Sequence, residues 1–190
     1  MASGTHDPTQ KTGIPAPEYT TARELAFKGK ENENESGEKN EKEKQEDAMR
    51  AGQCRYSTSK LCNILCTYEM VRKLKDTPYG EEVREGVPNV SIAAFDPGLM
   101  PGTGLARDYG TLMQVGWKYL LPVLTLFISN SHTPAASGSS LARLVAEESL
   151  SIHNKYFEGR KIIRSSEESY DEEKAKDLWE TSCELVGLKQ

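Results

Sequence analysis

Residues 54–74 read CRYSTSKLCNILCTYEMVRKL, and residues 90–98 read VSIAAFDPG. In the first stretch Leu61, Ile64, Leu65, Tyr68, Met70, Val71 and Leu74 recur at spacings of three and four, the period of a helix with an apolar face. Thr77-Pro78-Tyr79-Gly80 ends it. The second stretch is a short apolar run, Val90 to Phe95, bounded by Pro88-Asn89 and by Asp96-Pro97-Gly98. A run of that length without strict alternation fits a buried parallel strand. A helix followed by a buried strand and a Pro-Gly turn predicts an α/β fold.

The pattern extends in both directions. Pro134 to Ser149 reads as a helix with Leu141, Leu144 and Val145 on one face. Tyr156 to Ile163 reads as a short edge strand with Gly159 as a turn or bulge. Tyr170 to Leu185 reads as a last helix, with Ala175, Leu178, Trp179, Cys183, Leu185 and Val186 inward and Gly187 as its C-terminal cap. Residues 1–27, rich in Thr, Pro and Gly, read as loop. Residues 28–47, KGKENENESGEKNEKEKQED, hold no apolar residue. Nothing in that run offsets the entropy of ordering it, so it is expected to be a disordered charged insertion ahead of an ordered domain at 48–190. One clear strand and one weaker one are too few to close a doubly wound sheet, so part of the domain is expected to lie outside this sequence.

The chain's 190 residues suffice for one core. A formal net charge of −5 disfavours nucleic acid as a main partner, because phosphate binding needs a basic surface. Cys54, Cys62, Cys66 and Cys183 form no CxxC pair and no metal-ligand spacing, and read as reduced thiols of an intracellular protein. No metal site is expected. His6, His132 and His153 are scattered and read as surface residues. The start MASGTHDPTQ has neither a basic nor an apolar signal region, so a cytoplasmic or other intracellular location is expected. Residues 112–128, LMQVGWKYLLPVLTLFI, contain Lys118 and Pro122 and fall short of the roughly 20 apolar residues of a spanning helix. A helix pair broken near Pro122 is the expected reading, with peripheral membrane contact as the alternative.

Tyr56 and Lys60 lie four apart in the first helix, one turn apart on one face. A cation near a phenol favours the phenolate and so lowers its ordinary pKa of about 10. A tyrosine tuned in this way serves as general acid or base toward a carbonyl or alcohol oxygen near neutral pH. The lysine keeps donors for a sugar hydroxyl. A Tyr-x-x-x-Lys spacing alone is weak, since many helices carry such a pair on their surface.

The context is more specific. YSTSKLCN, a buried strand, Asp96-Pro97-Gly98 and a Gly/Thr loop together resemble the short-chain dehydrogenase/reductases, from about Ser3 to the end of the chain. The tail, with Glu172-Glu173-Lys174-Ala175-Lys176-Asp177-Leu178-Trp179-Glu180 and Glu184-Leu185-Val186-Gly187-Leu188, is similar to the branch holding protochlorophyllide reductases and retinol dehydrogenases. The resemblance implies the C-terminal part of a Rossmann-type doubly wound parallel sheet, with the N-terminal βαβ units missing. It implies Tyr56 as proton donor or acceptor, Lys60 on the nicotinamide ribose, and Ser3 holding the substrate oxygen. Pro97, Gly98, Leu99, Met100 and Thr103 would meet the nicotinamide carboxamide. The family's Thr five residues after the proline is Gly102 here, with Thr103 next to it. Gly102, Thr103, Leu105 and residues 109–128 would line the substrate pocket. Cys62 also falls where that branch has a cysteine, and a packing role is expected for it.

The implied activity is that of an NAD(P)-dependent oxidoreductase, with NADP (NADPH) favoured over NAD and a small apolar carbonyl, alcohol or double-bond substrate. No glycine-rich phosphate-binding turn after a strand occurs in the sequence. The alternative is therefore a non-catalytic remnant or interaction protein without independent cofactor binding. Oligomeric state stays open.

Overall fold

The computed structural model describes residues 1–27, 40–77, 90–100, 131–146 and 152–188. Four helices and three strands organise them: α1 (Ala22–Phe27), α2 (Glu41–Leu74), β1 (Ala93–Asp96), α3 (Pro134–Ala146), β2 (Lys155–Glu158), β3 (Lys161–Ile163) and α4 (Glu172–Leu185). Two 3-10 turns, Gly4–His6 and Glu167–Tyr170, complete the set. The architecture is α/β with a small mixed sheet, compatible with part of a Rossmann-like fold. β1 and β2 pair in parallel with Ala94 opposite Tyr156, and β3 returns antiparallel with Ile163 opposite Tyr156.

α2 is the spine. Leu61 and Leu65 pack with Tyr19, Ala22, Ala175 and Leu178, which joins α2 to α1 and α4. Ile64 and Tyr68 pack with Ala2, Ala94 and Tyr156, which joins α2 to the sheet. Leu61, Ile64 and Leu65 are fully buried. Each such side chain contributes about 1.5–3 kcal/mol of transfer free energy. Met70, expected inside, is exposed, and Glu69 is buried beside it, paired to Arg72 at 2.6 Å.

α2 also begins earlier than the charged composition predicts. Residues 41–47 are helical although they were expected to lack order. Asn40 accepts from the Glu43 amide and Glu43 accepts from the Asn40 amide, a complete capping box. Extending a helix that is already nucleated and packed further along costs little compared with starting one. Residues 28–39 lie outside the described residues. Residues 1–27, expected as loop, contain the 3-10 turn at Gly4–His6 and α1.

The strand read as 90–95 is Ala93–Asp96, because the Ile92 carbonyl accepts instead from Asn154, at the entrance to β2. The Tyr156–Ile163 segment is a hairpin, β2 and β3, turning at Gly159 with φ +58°. α3 turns Ser137 and Ser140 inward, and of the expected face Leu144 is half-buried while Leu141 and Val145 are exposed. The Ser137 hydroxyl donates to the Pro97 carbonyl at 2.7 Å, a polar pin that decides the helix rotation. In α4, Ala175 and Leu178 are inside as expected, but Leu185 and Val186 are exposed. Gly187 has φ +71°, and Leu188 and Gly187 donate to the carbonyls of Cys183 and Glu184, a Schellman cap. Among the described residues no helix is long and apolar enough to cross a membrane, and residues 112–128 lie outside them.

Candidate functional site

Tyr56 and Lys60 are set by what their helix neighbours bury. The Ser57 hydroxyl donates to the Pro15 carbonyl at 2.7 Å, and the Thr58 hydroxyl accepts from the Glu18 amide at 2.9 Å. Both serve to clamp residues 15–18 onto one side of α2. Tyr56, Ser59 and Lys60 are thereby turned to another side, with Tyr56 37% exposed. The Lys60 ammonium lies over the Tyr56 ring, 5.0 Å from its centroid. That is a cation–π contact, and it holds the two groups together as the four-residue spacing predicts.

Ser3 sits at the C-terminal end of β1. The Ala2 amide donates to the Phe95 carbonyl at 2.8 Å, so the first residues lie along the free side of β1. Ser3 follows in extended conformation, half-buried, and its hydroxyl accepts from Thr5 at 3.3 Å. Ligands of open α/β sheets bind beyond the carboxyl ends of the strands, and Ser3 and the 97–100 bend both stand there. The bend is held at several points. Gly98, at φ +76°, donates its amide to Asp96 Oδ1 at 2.8 Å. Ser137 fixes the Pro97 carbonyl, and the Leu99 carbonyl accepts from the His132 amide at 2.9 Å. Met100 is the last described residue of the bend. Thr103, Gly102, Leu105 and residues 109–128 lie outside the described residues.

The structure sets Ala2 and Gly4, on either side of Ser3, against Phe95 and Asp96 at the end of β1, and brings Tyr56 together with Lys60. α2 connects the two groups, since Asn63 donates to the Met1 carbonyl at 3.1 Å. Among the described residues no hydrogen bond joins Tyr56 or Lys60 to Ser3 or to the bend. A cleft of about 260 Å³ opens beside β1, lined by Met1, Asn63, Thr67, Ala93, Phe95 and Leu141 among others. None of the candidate site residues lines it.

Sequence reading missed the groups behind Ser3. His6, read as a surface residue, is fully buried. Its Nδ1 lies 2.7 Å from the Ser3 carbonyl oxygen, and its Nε2 accepts from the Ser166 amide at 3.0 Å. Burial lowers its pKa, against the opposing pull of the Ser3 carbonyl, Asp7 and Asp96. Its ring packs on Tyr156 at 5.2 Å between centroids. The Tyr156 hydroxyl donates to Asp96 Oδ2 at 3.3 Å, and Asp96 is itself 2% exposed. Burial and then the Asp96 charge push the Tyr156 phenol well above its usual range. Cys62 packs against the α2–α4 core, and burial followed by the nearby Cys66 thiol raises it to about 11.

Known proteins match parts of this chain. Residues 110–190 match the AcuH dehydrogenase domain family. The chain is 34% identical over 139 residues to the chloroplastic protochlorophyllide reductase of Daucus carota, covering 70% of this chain and 31% of that protein. Protochlorophyllide reductase A of Triticum aestivum is also 34% identical, with 32% of its length covered. The protochlorophyllide reductase of Avena sativa is 32% identical, with 40% covered. The chain therefore spans about a third of the length of most of these relatives. Through these matches the chain is a short-chain dehydrogenase/reductase-like protein, related to the protochlorophyllide reductases by the part of them that it aligns with.

Proposed function

We propose that the chain is an NAD(P)-dependent oxidoreductase in which Tyr56 exchanges a proton with the substrate. The observation that carries this is the Lys60 ammonium seated over the Tyr56 ring on an outward side of α2, in a chain similar to named reductases. The residues suit the nicotinamide-ribose end of a dinucleotide. Lys60 makes no ion pair among the described residues, so its N–H donors remain for a ribose hydroxyl. The Pro97–Met100 bend follows the parallel strand β1, where the family resemblance puts the nicotinamide carboxamide. NADPH is the favoured cofactor, and when bound it supplies the hydride.

Tyr56 would give its hydroxyl proton to the substrate oxygen, or to the second carbon of a double bond, which takes up the π electron pair as the neighbouring carbon receives the hydride, and would take the proton back in the reverse direction. Ser3 would donate a hydrogen bond to the substrate oxygen and orient it. The substrate class is a small apolar molecule with a carbonyl, alcohol or activated double bond. The test is NADPH oxidation by the full chain with protochlorophyllide and with a small apolar aldehyde, wild type beside Tyr56→Phe. Turnover by wild type that drops at least a hundredfold in Tyr56→Phe supports the reading. Equal rates in the two chains overturn it. Equal rates together with no NADPH binding by fluorescence would leave a non-catalytic relative as the reading.

A further inference from the structure

The strongest unassigned feature is the buried imidazole of His6. A carbonyl oxygen can only accept a hydrogen bond and a backbone N–H can only donate one. His6 has one of each, the Ser3 carbonyl at Nδ1 and the Ser166 amide at Nε2. The ring is therefore fixed as the neutral tautomer with its proton on Nδ1. A second proton on Nε2 would face the Ser166 N–H across 3.0 Å, donor against donor. The groups facing the ring are Asp7 from its own segment, Asp96 from β1 and Tyr156 from β2.

Ser166 is itself anchored. Its carbonyl accepts from the Ser169 hydroxyl at 2.6 Å, and Ser169 and Tyr68 both bond to the Ser165 hydroxyl. The Ser3 carbonyl is thus tied, through one imidazole, to the turn before α4 and to α2. On its other side the same ring packs on Tyr156, which bonds Asp96, which bonds Gly98. One side chain thus bonds the Ser3 carbonyl directly and reaches the Gly98 amide through Tyr156 and Asp96.

We propose that His6 is the positioning residue of the site: by fixing the Ser3 carbonyl it sets the direction of the Ser3 hydroxyl relative to the Gly98 bend. The inference rests on the reductase reading above. It makes His6 act only through Ser3, and it takes no proton from the substrate.

The test is a double-mutant cycle in the full chain, with NADPH and a small apolar aldehyde. His6→Phe keeps the ring volume and removes both bonds, whereas the Asn side-chain amide of His6→Asn retains a donor for Ser3. The expected kcat falls about tenfold in His6→Phe and is at least partly restored in His6→Asn, with NADPH affinity changed less than twofold. In a Ser3→Ala background, His6→Phe is expected to cost nothing further. An equal loss in both backgrounds, or no loss in either, overturns the positioning role. Should wild type be no faster than Tyr56→Phe, the reductase reading itself has failed and this inference falls with it. Should His6→Phe fail to fold, nitrogen-15 shifts of the wild-type ring decide: a neutral Nδ1–H form at pH 7 is expected, and the opposite tautomer or an imidazolium overturns the proposal.

Discussion

The ammonium of Lys60 lies 5.0 Å from the centroid of the Tyr56 ring, one helical turn along α2. The contact uses the ring face, so it survives loss of the hydroxyl. Tyr56→Phe is therefore expected to leave the fold and the position of Lys60 intact while removing the transferable proton. General acid catalysis is worth about 10²–10⁴-fold, and turnover should fall by that order. Lys60→Met should instead weaken NADPH binding as well as turnover, which equilibrium fluorescence titration and initial rates separate.

Stability should depend on pH through His6. Its folded pKa is held below 6.5, chiefly by burial, so the unfolded chain takes up the proton first as pH falls. The stabilisation is full above about pH 6.5 and is lost as pH drops toward the folded value. His153, lowered by partial burial and by Lys75, adds in the same sense. Thermal midpoints at pH 7.5, 6.5 and 5.5 should decline, and His6→Phe should flatten the part owed to His6. Identical slopes for the two chains would contradict the assignment.

What could be read from the sequence was what is local along it. The Tyr56–Lys60 adjacency, the turn at Gly159 and the cap at Gly187 depend on residues within a turn or two, and all three stand in the structure. The start of α2 carried a local signal as well, Asn40-Glu41-Lys42-Glu43, which charge content masked. His6 could not be read this way, since its Nε2 partner, Ser166, lies 160 residues further on. The face of α3 was misread for a related reason. Apolar periodicity pointed to Leu141 and Val145, whereas the Pro97 carbonyl, 40 residues earlier, captures Ser137.

Cys62 should be a slow nucleophile. Its thiol is raised to about 11 from a reference of 9.0, a hundredfold less thiolate at any pH well below both values. Alkylation by iodoacetamide at pH 8, read by mass spectrometry, should therefore be at least about a hundredfold slower in the native chain than in urea. Rapid native labelling at Cys62 would mean that the α2–α4 seam opens often.

The N-terminal segment should depend on one carboxylate of α4. Asp177 Oδ2 accepts from the Tyr19 hydroxyl at 2.8 Å and from the Ala22 amide at 2.7 Å. It therefore satisfies both a largely buried phenol and the first amide of α1. Tyr19 sits in the same cluster as Leu61, Leu65 and Leu178, so its loss would loosen the packing against α2. Asp177→Ala removes the acceptor, leaving the Tyr19 hydroxyl its longer bond to the Lys174 carbonyl at 3.2 Å and the Ala22 amide without its side-chain partner. The cost should be about 1–3 kcal/mol, typical of an orphaned buried donor. Urea midpoints measure it, and limited proteolysis should show cleavage moving into residues 19–27. Asp177→Asn keeps an acceptor oxygen and should recover most of the loss. If Asn and Ala behaved alike, the carboxylate charge, and not the two hydrogen bonds, would be what holds α1 to α4.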